Sequence, residues 1–184
     1  MEKLPDKFII FDTEYTAWEG SRERGWGKEW EHKEIVQIGA IIVEDLEEKE
    51  SFLEYIKPVK NPVLSEYFID LTGITQEDVD TQGRSFPDVL EEFLKWTRGL
   101  PLYSFGDDMI EIRENCELLD MPCLFDTEKS LDARLIFREA GIDDSKYYSG
   151  TIPEAFGLTP PPNAHDALND ARSILVALQA LHNK

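Results

Sequence analysis

The chain has 184 residues, 41% of them hydrophobic, and sets 38 acidic side chains against 19 basic ones for a net charge of −19. That length suits a single domain spanning 1–184 with a substantial core, while the acidity excludes a broad basic footprint, so any nucleic-acid contact must be local, short or metal-assisted. Nothing approaches the ~18 apolar residues of a membrane span, no signal peptide fits Met1 to Ile10, and Cys116 and Cys123 are too few for a disulfide framework, so a reduced, cytoplasmic setting is expected.

The first element is the apolar run Phe8 to Phe11, which reads as a strand buried on both faces. Asp12 and Glu14 follow it, two positions apart. In an extended chain both leave the same face, at the strand end where open α/β sheets hold ligands. Two such oxygen donors suit a hard divalent cation, Mg²⁺ or Mn²⁺. An Asp-x-Glu triplet arises by chance roughly twice in so acidic a chain, so its place after four apolar residues is what singles it out.

The polar stretch Ala17 to Lys33 carries Trp18, Trp26 and Trp30 among Arg22, Arg24, Lys28 and Lys33, with three glycines breaking any helix. Aromatics interleaved with cations serve single-stranded nucleic acid, giving π-faces to bases and charge to phosphates. Thr16, at the root of this loop, joins the three tryptophans as a candidate substrate contact. The alternative is that the tryptophans cap the edge of the core.

Glu34 to Asp45 reads as a long β-branched strand, and Phe52 to Ile56 as a third, joined through the short acidic link Asp45 to Glu48. Helical turns are expected around Thr72 to Thr75. Ser85 then caps a helix with Pro87 in its first turn and an apolar face of Phe86, Val89, Leu90, Phe93 and Leu94, ended by Gly99 and Pro101.

Leu100 to Phe105 reads as a fourth strand feeding a further helix. There Asp108 shares its face with apolar Ile112, Cys116 and Leu119, while Asp107 shares its face with Glu111, Glu114 and Leu118, a solvated side. Asp108 should therefore point inward and need a partner, for which a metal serves, leaving Asp107 as a cap or surface acid. A fifth strand falls somewhere in Cys123 to Asp132. Ala133 to Ala140 is helical, and Thr151 caps a short helix ended by Gly157.

The last helix runs from about His165 to His182. Asp170 lies on its apolar stripe one turn before Ile174, and His165 stands near its mouth as a candidate general base.

In order and spacing, Asp12, Glu14, Asp108, His165 and Asp170 resemble the site of the DEDDh-type 3′→5′ exonucleases of the ribonuclease H-like superfamily. Phe11-Asp12-Thr13-Glu14 is similar to the first motif of that family, and His165 to Arg172 to the third; the second is looser, with Asp108 to Asn115 fitting the spacing better than Asp107. Tyr55 to Pro58 and Leu71 to Gln76 look like the enhanced-RNAi and histone-mRNA 3′-end exonuclease branch. The likeness covers about Lys7 to Leu181, so the extra nucleic-acid-binding domain of some members is not expected within these 184 residues.

The resemblance implies an α/β fold with a five-stranded mixed sheet, order 3-2-1-4-5, flanked by helices. It implies two divalent cations held by Asp12, Glu14, Asp108 and Asp170, with His165 as base, acting on single-stranded or 3′-tailed RNA or DNA to release 5′-mononucleotides. A DNA-directed proofreading or repair enzyme, a non-catalytic binding module on the same fold, and an acidic interaction protein remain as other readings.

Overall fold

The structure, a computed structural model, describes residues 4–124, 130–162 and 165–183. Its strands are β1 (Lys7–Tyr15), β2 (Ile35–Glu44), β3 (Glu47–Tyr55), β4 (Leu102–Ser104) and β5 (Ser130–Asp132). They form one sheet in the order β3-β2-β1-β4-β5. β2 runs antiparallel to β1 and β3, whereas β4 runs parallel to β1 and β5. This is the mixed sheet the family resemblance implies.

The helices are α1 (Glu66–Thr72), α2 (Gln76–Gln82), α3 (Phe86–Trp96), α4 (Asp108–Leu118), α5 (Ala133–Glu139) and α6 (Ala167–His182), with a 3₁₀ segment at Ser149–Phe156. They cover both faces of the sheet, which is why β1 has no polar alternation. Ile9 and Phe11 pack with Phe86, Val89, Phe93 and Ile112 on one face. Phe8 and Ile10 pack with Phe137, Ala171, Ile174 and Leu178 on the other. Burying each such side chain is worth about 1.5–3 kcal/mol, so the register of β1 is strongly set. Carried two residues further, the same alternation puts Asp12 and Glu14 on the α6 side and Thr13 on the α4 side.

Several boundaries differ from the sequence reading. β3 begins earlier, at Glu47, because Asp45 and Leu46 alone make the turn, with φ of 55° and 57°. Both residues in that region match the twist of a two-residue hairpin. The helical turns expected around Thr72 to Thr75 are two short helices, α1 ending at Thr72 and α2 beginning after Thr75. Gly73, at φ 76°, closes α1, and Thr75 opens α2 by exchanging hydrogen bonds with Asp78. Thr151 lies inside its helical segment, where its hydroxyl accepts from the Tyr148 N–H at 2.9 Å.

The last helix starts at Ala167, capped by Asp166, so His165 stands just outside it. The fifth strand occupies the end of the ambiguous stretch; residues 125–129 of that stretch lie outside the described ones. Both cysteines are free thiols. No helix among the described residues is long and apolar enough to cross a membrane.

Candidate active site

Asp12 and Glu14 end up 5% and 9% exposed at the C-terminal end of β1. Asp170, 2% exposed, reaches them from the first turn of α6. What brings that turn so close is Gly39, the β2 residue paired with Asp12. A Cβ there would lie 2.2 Å from the Leu168 nitrogen and 2.3 Å from the Ala167 carbonyl carbon, so α6 rests on bare backbone. Gln37 staples the same turn, accepting from the Ala167 N–H at 2.9 Å and donating to Asp166 Oδ2 at 3.4 Å. A glycine inside a strand signals close backbone approach; the partner it admits cannot be read from the strand alone.

Asp108 comes from the opposite face of the sheet. It opens α4, is 8% exposed, and its Oδ1 accepts from the Thr13 N–H at 3.0 Å and the Thr13 hydroxyl at 2.7 Å. Thr13 thus ties the second motif to the first. Asp107 is exposed and makes no side-chain cap; it accepts instead from Arg134 at 3.1 Å. One expectation here was wrong. Glu111, assigned to a solvated face, is 4% exposed and ion-paired with Lys33 at 2.7 Å. That edge of α4 is covered because Asn115 grips the start of β2, accepting from the Ile35 N–H and donating to the Lys33 carbonyl, each at 2.9 Å.

Around Asp170, the Ser149 hydroxyl donates to Oδ2 at 2.9 Å and the His165 N–H to Oδ1 at 3.3 Å. Gly150 sits against the same carboxylate, where a Cβ would fall 2.5 Å from Oδ1. His165 is half-buried with a left-handed backbone, φ 65°. For a residue with a Cβ that conformation is uncommon and is held by its surroundings. Donor atoms of Glu14, His165 and Asp170 all lie within 4.8 Å of one another.

The electrostatics follow from this crowding. Burial first, then the charges of Asp108, Asp170 and Glu14, push the Asp12 carboxyl well above the usual carboxylate range. Burial and the neighbouring Asp170 and Asp108 do the same to Glu14. Asp108 and Asp170 are each pushed up to about 6, chiefly by burial, although hydrogen bonds from Thr13 and Ser149 oppose the shift. None of the four is offset by a described lysine or arginine. Clustered, buried, acceptor-only oxygens without a counter-charge fit hard divalent cations. For His165, burial and then the charge of Arg22 lower the pKa.

The loop from Ala17 to Lys33 borders this shelf. Thr16 is buried, its hydroxyl donating to the His32 carbonyl at 2.6 Å and accepting from the Glu34 N–H at 3.0 Å, which joins the two ends of the loop. Trp26 Nε1 donates to the Thr16 carbonyl at 3.0 Å, and its ring meets Tyr15 edge-on at 5.5 Å. Trp18 and Trp30 pack edge-to-face at 5.0 Å, with Trp30 49% exposed. Thr16 and Trp26 are therefore tied into the loop's frame, while Trp30 is half-exposed, with the Lys28 ammonium over its ring at 5.1 Å from the centroid. A cavity of about 740 Å³, lined in part by Leu46, Ile136 and Leu181, lies beside the C-terminal end of α6 and includes none of the carboxylates.

The five-stranded mixed sheet, with buried acids converging at the end of its central strand, is of the ribonuclease H-like fold. Residues 9–178 match the exonuclease family, and the chain belongs to it. The 3′-5′ exonuclease crn-4 of Caenorhabditis elegans is 30% identical over 171 residues, covering 82% of this chain and 56% of its own. The 3′-5′ exoribonuclease 1 of Rattus norvegicus is 35% identical over 99 residues, covering 53% of this chain and 27% of its own. This chain thus spans little more than half the length of either relative, or less. The nuclease domain of 3′hExo, a DEDDh family member bound to rAMP, superposes with a TM-score of 0.77 at 24% identity, over 97% of this chain and 92% of that one.

Proposed function

We propose that the protein is a metal-dependent 3′→5′ exonuclease that removes 5′-mononucleotides from single-stranded or 3′-overhanging nucleic acid, with RNA favoured. The observation that carries this reading is the set of four buried carboxylates, none ion-paired with a described lysine or arginine, gathered beside a half-buried histidine. The named relatives, an exoribonuclease and an exonuclease, support the same direction.

Asp12, Glu14, Asp108 and Asp170 would hold two divalent cations, Mg²⁺ or Mn²⁺. Bound there, such cations neutralise the phosphoryl oxygens and the leaving oxygen. The protein's own residues do the rest. Thr13 and Ser149 fix the rotamers of Asp108 and Asp170 through the hydrogen bonds described above. His165 in its neutral form takes the proton of the attacking water, and its lowered pKa keeps it neutral near physiological pH. Trp30, paired with Trp18, offers a stacking face for a base of the incoming strand.

The rAMP bound to the related nuclease domain is consistent with a site that accommodates a 5′-nucleotide. The test is incubation of the purified protein with 3′-tailed RNA and DNA in Mg²⁺, Mn²⁺ or chelator, with the products resolved. Stepwise release of 5′-mononucleotides, faster from RNA and abolished by chelator, is expected. Equal or faster DNA turnover would make it a DNA-directed enzyme. No metal-dependent product would leave only a binding module.

A further inference from the structure

In this acidic chain nearly every arginine is spoken for. Seven of the eight are ion-paired with carboxylates. Among the described residues Arg22 is the exception. Its guanidinium lies over the Tyr148 ring, 4.7 Å from the centroid. The Tyr148 ring stands 6.3 Å from that of His165, and Tyr148 immediately precedes Ser149, the donor to Asp170. The other cations of the loop are engaged: Arg24 and Lys28 with Glu31, and Lys33 with Glu111. One unspent guanidinium therefore overhangs the site. Its charge is felt at His165, where it helps to lower the pKa.

A guanidinium stacked on an aromatic face keeps its in-plane N–H groups available, and their fork matches the oxygens of a phosphate. We propose that Arg22, propped on Tyr148, binds the phosphate of the 3′-terminal nucleotide and is the protein's own positive side chain that helps to seat the strand end in the site. This rests on the exonuclease reading above and deepens it: in a protein of net charge −19, one placed arginine adds a side-chain contact for the strand end to what the cations would supply.

The full-length protein in Ca²⁺ is titrated calorimetrically with adenosine 5′-monophosphate and, separately, with adenosine. Losing one charge-assisted, bidentate contact should weaken nucleotide binding by about 10- to 100-fold in Arg22→Gln. Adenosine binding should not change. Arg22→Lys keeps the charge but loses the fork and should recover part of the loss, and Tyr148→Leu should weaken the nucleotide without altering net charge. For a single-stranded oligonucleotide, the slope of log affinity against log salt should shrink by about 0.7 in Arg22→Gln. The proposal is overturned if Arg22→Gln binds nucleotide and strand as the parent does, or if the loss extends equally to adenosine or tracks a fall in melting temperature. A parent that releases no mononucleotide from any strand overturns the exonuclease reading together with this one. Turnover by the parent with unchanged binding in Arg22→Gln overturns this one alone.

Discussion

The carboxylate floor and the loop beside it are held in different ways. The floor is drawn from three core elements, β1, α4 and α6, and two of its acids are held by neighbours on other elements: Asp108 by Thr13 of β1, and Asp170 by Ser149 and Gly150 of the 3₁₀ segment. The loop from Ala17 to Lys33 is held partly by a pairing of its own and partly by its root and by α4. Trp26 is tied to Thr16, Arg24 to Glu31, and Lys33 to Glu111 beneath the rings of Trp26 and Tyr15. Its root, at Thr16, is buried, and its rim, at Arg22 and Trp30, is exposed. On the proposed reading, chemistry and grip are therefore separable, and mutations in the two regions should fail in different ways.

The largest expected effect lies in the floor. Asp108→Ala should abolish mononucleotide release, whereas Asp107→Ala, which loses one exposed ion pair with Arg134, should cost about 1 kcal/mol or less in stability and leave turnover near normal. Product release and thermal melts on both variants check this. Equal loss of activity in two folded variants would mean that the floor extends to Asp107.

Next comes His165→Ala, with turnover expected to fall on the order of 10²- to 10⁴-fold for loss of a general base. In the parent the rate should rise with pH through the His165 pKa, because only neutral imidazole accepts a proton. Burial and Arg22 place that rise below the ordinary imidazole value of 6.5. Cation affinity, measured by calorimetry, distinguishes a base from a ligand, since His165 lies close to Glu14 and Asp170. Unchanged affinity with lost turnover is the expected result. Affinity that falls in step with turnover would make His165 part of the cation site.

The same contrast explains what the sequence disclosed. The floor was legible because chemistry fixes its residue types and core periodicity fixes their direction: Asp12 and Glu14 by strand alternation, Asp108 and Asp170 by helical phase. Strand order came through the resemblance and not through any pattern in β4 or β5, each only three residues long. Gly39, Gln37 and Ser149 went unread because their work is a contact across the fold, with about 130 residues separating Gln37 from Ala167. Glu111 misled for the same reason. Helical phase says which residues share a side, and only the packed neighbour says whether that side meets water.

The loop gives a smaller and divided effect. Trp30→Ala should weaken single-strand binding in Ca²⁺ by roughly 5- to 150-fold, the worth of one stacked base, with no change in melting temperature. Trp26→Ala should do the reverse, lowering stability through the lost hydrogen bond to Thr16 and the lost packing on Tyr15. Fluorescence anisotropy and melts on the pair decide the matter. Parent-like binding in both Trp30→Ala and Trp18→Ala would place the strand elsewhere.

The smallest effect is a few degrees in the melting curve of the metal-free protein, and it tests the floor without any substrate. Asp108 and Asp170 titrate at about 6 when folded, and Asp12 and Glu14 are also raised. Unfolding returns each to about 4. Between those values the folded protein holds more protons than the unfolded one, so stability contributed by these groups falls as pH rises from about 4 to about 6. Paired acids such as Asp144, with a lowered pKa, act in the opposite direction and at lower pH. Melting in chelator should therefore drop across that interval, by about 2–4 °C for each kcal/mol in a chain of this size. Asp170→Asn removes one repelling charge and should flatten the slope; so should saturating Mg²⁺, which takes over the neutralising role of the protons. A slope unchanged by both would mean that the four carboxyls are not raised by burial and mutual repulsion in the folded protein, and the case for a cation at the end of β1 would lose its electrostatic basis.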